Sequence, residues 1–74
     1  MFIELISPLG TKVFVRTQDI RLAKVEKLEN TYCGNFLIGD DVCYSEEAFD
    51  TYKEAEDFIK KILNVKDKDK EVLL

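Results

Sequence analysis

Histidine and tryptophan are missing from this 74-residue chain, and proline and methionine occur once each. Histidine is the side chain whose unperturbed pKa lies nearest neutrality, so its absence removes the usual general base and the Cys–His pair. Paired carboxylates are the remaining acid–base device, and they need a cleft. A domain this small seldom encloses the roughly 300–1,000 Å³ that substrates occupy. Two cysteines, Cys33 and Cys43, are too few for a zinc site, and neither a helix start nor a cation adjoins Cys33 in sequence to activate its thiol. The acids Asp40, Asp41, Glu46 and Glu47 do not follow the calcium-loop spacing, and no glycine stands where its sharp turn requires one. The expectation is a protein with no catalytic residue, no metal site and no cofactor.

Long hydrophobic runs are also lacking. Met1–Ile6 is apolar but contains Glu4, has no basic leader and is cut short at Pro8 and Gly10, the pattern of neither a signal peptide nor a membrane span. A cytoplasmic setting is expected, where Cys33 and Cys43 stay as buried or half-buried free thiols.

What the chain does contain is enough apolar matter to fold. It is 46% hydrophobic with five phenylalanines and three tyrosines, more than a disordered chain carries. Its length allows one domain, expected over residues 1–64, and a core of modest stability. Homodimerisation would be one way to add buried area. Residues 65–74, alternating in charge through Lys66, Asp67, Lys68, Asp69 and Lys70, read as a disordered tail.

Residues 2–7 are rich in β-formers, and 11–17 alternate around Val13 and Val15, with Lys12, Phe14 and Arg16 on the other face. Between them Ser7-Pro8-Leu9-Gly10 suits a type I turn closed by a left-handed glycine, so the N-terminus is expected to be a β-hairpin. Residues 18–29 mix helical composition with apolar residues that form no single helical stripe. As a strand, Ile20 and Leu22 share a face, and Val25 joins them if one residue near Ala23 bulges; Leu28 stays off that face. Glu29-Asn30-Thr31 reads as a turn, 32–38 as a strand, Gly39-Asp40-Asp41 as a loop and 42–44 as a last strand. Gly34 inside a strand signals a bulge or a close backbone approach.

Thr51-Tyr52-Lys53-Glu54 has the form of a capping box, and Tyr52, Ala55, Phe58, Ile59, Ile62 and Leu63 follow on one helical face. Asn64 is the expected terminator; a rival start at Ser45 would add Ala48 and Phe49 to the stripe. The segment Phe49–Ile59 resembles the closing helix of many small bacterial and phage-borne β-sheet-plus-helix proteins. That resemblance lies in capping and amphipathicity and transfers neither a function nor a site. The expected architecture is therefore α+β: a small antiparallel sheet of four or five strands, hairpin-rich, with one C-terminal amphipathic helix packed on one face. Tyr52, Phe58, Ile59, Ile62 and Leu63 should pack on Ile3, Leu5, Val13, Val15, Phe36 and Ile38.

Charge is unevenly spread. Residues 40–57 hold eight acids against one base, Lys53, whereas the whole chain is −4. Part of this has a local explanation: Glu54, Glu56 and Asp57 suit the first helical turns, and Glu56–Lys60 and Asp57–Lys61 are spaced for ion pairs. Asp40, Asp41, Glu46, Glu47 and Asp50 are left over, with Tyr44 and Phe49 among them as aromatic anchors. The function expected from this set is non-catalytic docking on another protein with a basic surface. An alternative is a phage-type counter-defence inhibitor filling the nucleic-acid groove of a host enzyme. A second is weak single-strand binding through Phe14, Arg16 and Arg21, which the net charge opposes, so direct nucleic-acid binding is not favoured.

Overall fold

The computed structural model describes residues 1–72, with side chains described through Asn64. Its elements are β1 (Phe2–Ile6), β2 (Lys12–Arg16), a 3-10 turn (Thr17–Asp19), β3 (Ile20–Lys27), β4 (Tyr32–Ile38), β5 (Asp41–Tyr44) and α1 (Tyr52–Val72). The strands form one antiparallel sheet in the order β2-β1-β5-β4-β3, and α1 packs on β3, β4 and the 3-10 turn. This is the α+β arrangement that the sequence predicts.

The β1–β2 loop closes as its residues dictate. Gly10 N–H donates to Ser7 O at 2.9 Å and Ser7 N–H to Thr11 O at 2.8 Å, with Gly10 at φ 84°. The β4–β5 connection is tighter than expected: Ile38 pairs with Asp41, leaving only Gly39-Asp40 as the turn, and Gly39 takes φ 61°. A positive φ at the first central residue belongs to the hairpin turns whose twist matches the sheet.

Edge strands β2 and β3 lie four strand spacings apart, about 19 Å in a flat sheet. The three residues Thr17–Asp19 join them, and such a link spans at most about 14 Å between flanking Cα atoms. The sheet must therefore curl. Its inner face holds Leu5, Val15, Ile20, Phe36 and Cys43, which close on Ile59 and Ile62 of the helix. Ile3, Val13, Ala23, Val25, Ile38, Phe58 and Leu63 pack around that cluster.

Residues 18–29 correct the expected register. Ile20 pairs with Ile38 and Leu22 with Leu37, so the bulged residue is Arg21 and not one near Ala23. A bulge there puts Ile20 and Leu22 on opposite faces. Ile20 is buried with Ala23 and Val25 beside it, and Leu22 is 52% exposed on the outer face. Arg21 reaches from the bulge to Gly39, its Nη1 donating to the carbonyl at 3.3 Å.

The helix begins where its cap is complete. Glu54 N–H donates to Thr51 Oγ1 at 3.2 Å, and the Thr51 hydroxyl donates back to Glu54 Oε1 at 3.0 Å. Ser45 is not a second cap. It is buried, accepts from Gly34 N–H at 2.9 Å and donates to Glu47 O at 2.8 Å, so it latches the end of β5 onto β4. Along the stripe Ala55, Ile59 and Ile62 are buried, but Tyr52 is 54% exposed, its ring in a T-shaped pair with Tyr32 at 6.0 Å between centroids. Asn64 does not end the helix, since the following residues contain no glycine or proline to break it. The expected tail, residues 65–74, falls outside the described side chains, and Leu73 and Leu74 lie outside the described residues altogether.

Candidate docking surface

The acidic segment is built around β5, and the strand divides it. Asp40 and Asp41 stand at its start, in and just after the hairpin turn, while Glu46 and Glu47 follow its end. Val42, Cys43, Tyr44 and Ser45 separate Asp41 from Glu46, about 16–17 Å of extended chain. Tyr44 lies between them on the outer face, half-buried, opposite Asn35 on one side and Ile6 on the other.

Beyond Ser45 the chain loops out and returns at Phe49. Ser45 N–H donates to Gly34 O, and Phe49 and Tyr32 exchange both backbone hydrogen bonds, at 2.8 and 2.6 Å. Glu46, Glu47 and Ala48 are thereby pushed into solvent. Phe49 is placed differently from the expected surface anchor: it is half-buried, with its ring 5.3 Å from Phe58. It clasps the loop to the helix. Asp50 is exposed just before the cap.

Counter-charges separate the acids into two kinds. Lys12 bridges Glu46 at 3.3 Å and Glu4 at 3.6 Å, and the Glu46 carboxylate beside it holds the Lys12 ammonium above its ordinary pKa. Asp19 pairs with Arg16, Glu56 with Lys60 and Asp57 with Lys53, this last at 3.8 Å in place of the Asp57–Lys61 pair expected from spacing. Glu26 accepts from Asn35 Nδ2 at 3.2 Å. Among the described residues, Asp40, Asp41, Glu47 and Asp50 have neither an ion pair nor a side-chain hydrogen bond, a state they share only with Glu29. Lys12 is the site residue that the sequence pattern did not point to. Its pairing with Glu46 spans 34 positions, and the only signal was its place on the outer face of the first hairpin.

Two hollows flank β5. One, about 340 Å³, lies between Pro8 and Val13 with Asp40 and Asp41 on its wall. The other, about 290 Å³, opens beside Leu28, Cys33 and Tyr44 and is rimmed by Glu46 and Glu47. Cys33 lies opposite Glu26 on the outer face, and Cys43 opposite Phe36 on the inner face, so the thiols point to opposite sides of the sheet. Both are free, and burial above all raises their pKa values, aided by Glu26 at Cys33 and Asp41 at Cys43. No group of three metal-ligating side chains occurs among the described residues.

The residues considered for single-strand binding lie on two different strands, and both arginines are engaged within the chain. Phe14 and Arg16 sit on β2 at one edge of the sheet, and Arg21 on β3 at the other. Arg16 is occupied by Asp19 at 3.1 Å and Arg21 by Gly39. No helix among the described residues is long and apolar enough to cross a membrane. No family model, curated protein or solved structure matches this chain.

Proposed function

We propose that this protein is a non-catalytic docking module that binds a basic protein surface along β5 and the loop that follows it. One observation carries the reading: Asp40, Asp41, Glu47 and Asp50 lack counter-charge, whereas most other described acids have a partner within the chain. Asp40 and Asp41 at one hollow and Glu47 at the other suit incoming lysine or arginine side chains, which lay an apolar stem in a groove and set the charge at its rim. Tyr44 lines the second hollow, on the outer face, as the aromatic contact. Free Cys33 and Cys43 fit a reducing compartment, so the proposed setting is the cytoplasm.

The test uses two baits in parallel: the native chain, and a variant carrying Asp40→Asn, Asp41→Asn, Glu47→Gln and Asp50→Asn. These side chains are exposed and unpartnered, so the variant should fold like the parent. A partner captured by the native bait should be lost from the neutralised one, and its association rate should fall about tenfold at low salt. Equal capture and equal rates from both baits refute the reading. Displacement of nucleic acid from the captured partner would assign the contact to a nucleic-acid groove.

A further inference from the structure

We propose that the outer face of the β1–β2 hairpin is covered by a second copy of this chain in an isologous dimer. A strand buried on one side alternates between apolar and polar residues, whereas a strand buried on both reads as a nearly unbroken apolar run. In β1, Phe2-Ile3-Glu4-Leu5-Ile6 is apolar on both faces apart from Glu4, whereas β2 alternates, with Phe14 as the one apolar residue of its outer face. Their inner residues are already consumed by the core: Leu5 and Val15 are buried in it, and Ile3 and Val13 pack against it. Their outer residues are not. Phe2 and Phe14 are each 65% exposed, and they stand diagonally across the hairpin. The helix packs elsewhere, on β3, β4 and the 3-10 turn, and leaves this face open.

The charges on the face select a second copy as its occupant. The pairs across the hairpin are Phe2 with Arg16, Glu4 with Phe14 and Ile6 with Lys12. A two-fold axis along the strands lays β1 of one copy over β2 of the other. Phe2 then meets the Arg16 guanidinium of the second copy, a cation–π arrangement, and Glu4 lies between that copy's Lys12 and Arg16. A two-fold axis across the strands would set Glu4 on Glu4 and Lys12 on Arg16. The first operator opposes no like charges, setting Glu4 over Phe14 and Lys12 over Ile6 and leaving the Lys12–Glu4 and Arg16–Asp19 pairs of each copy in place, whereas the second opposes like charges directly. With Glu46 and Asp19, the partners of Lys12 and Arg16, on its border the face carries two bases and three acids.

Two phenylalanines of about 150–250 Å² each, two-thirds exposed, together with the flanks of their neighbours, offer roughly 500 Å² per copy. The total of about 1,000 Å² is at the lower limit for a specific interface, so the dimer should be concentration-dependent. This face does not use Asp40, Asp41, Glu47 or Asp50, so the inference stands apart from the docking reading.

Sedimentation velocity of the full chain over about 1 µM to 1 mM tests it. The expected result is a mass rising from 8.6 kDa toward twice that value, and loss of the rise in a Phe2→Ser, Phe14→Ser variant with a native circular dichroism spectrum. Charge exchange supplies a second test. Glu4→Lys alone and Lys12→Glu, Arg16→Glu alone should each stay monomeric, and an equimolar mixture should regain the dimer. A monomeric native chain throughout, or a serine variant that dimerises equally, overturns the proposal. So does a monomer whose two phenylalanines bind oligo(dT).

Discussion

Replacing Gly34 with alanine should destabilise the fold, although alanine is normally the better strand residue. Gly34 has no positive φ, so its backbone conformation would accept any L-residue. Space is the obstacle. A methyl group there would lie 2.8 Å from Phe36 Cε2, 3.1 Å from Cζ and 3.5 Å from Ile59 Cγ1. Phe36 is fully buried between the sheet and the helix and cannot swing aside without moving Phe58, whose ring stands edge-on at 6.4 Å. Forcing a methyl group into a packed core costs about 1–3 kcal/mol. The entropic gain from removing a glycine returns about 0.5–1 kcal/mol. The net loss should be about 1–2 kcal/mol. That is a large share of the roughly 4–11 kcal/mol expected for 74 residues. In urea the midpoint should fall by about 1 M with the slope unchanged, and the thermal midpoint by about 4–15 °C. Trimming the ring with Phe36→Leu in the same chain should reduce the penalty of the methyl group, since the two changes share one space. A Gly34→Ala midpoint equal to or above the native value would refute the placement of the Phe36 ring over Gly34.

Ser45→Ala should cost about 1–3 kcal/mol, because it leaves the buried Gly34 N–H without its acceptor and frees the loop at Glu47; urea melts read this directly. Thr51→Ala should cost about 0.5–2 kcal/mol through loss of the cap, visible in the same melts, with Thr51→Asn restoring most of it. The two thiols should react slowly with a disulfide reagent at neutral pH and become fast only on denaturation. Their folded pKa values lie above the ordinary 9.0, so the unfolded chain loses these protons first. The thiols' contribution to stability should therefore be constant below about pH 9 and decline above it, a decline that is smaller in a Cys33→Ala, Cys43→Ala variant.

The parts of this structure that were legible in the sequence are those fixed by neighbours in the chain. Pro8 and Gly10 specify the first hairpin, and Thr51 with Glu54 sets the start of the helix, because each device acts within four residues. Strand β3 was harder, since moving one bulge from Ala23 to Arg21 carries Leu22 to the opposite face without changing composition. The site was the least legible. Sequence adjacency made residues 40–50 look like one acidic surface, but β5 separates the carboxylates into two groups and the hydrogen bonds between Phe49 and Tyr32 turn an apparent anchor into a clasp. Lys12 neutralises Glu46 from a hairpin far away in the chain, which no local pattern encodes. Phe14 stands out in the sequence only as a candidate stacking residue and Phe2 not at all; their shared exposure shows once the hairpin is paired and the helix packs elsewhere.

The most direct measurement of the central claim is the association rate of the captured partner as a function of salt, for the native chain and for the variant neutralised at Asp40, Asp41, Glu47 and Asp50. Screening shortens from about 10 Å at 0.1 M to about 3 Å at 1 M, so the native rate should drop steeply across that range, and the variant should start low and change little. Two curves of the same height and slope would show that these four carboxylates do not guide the encounter.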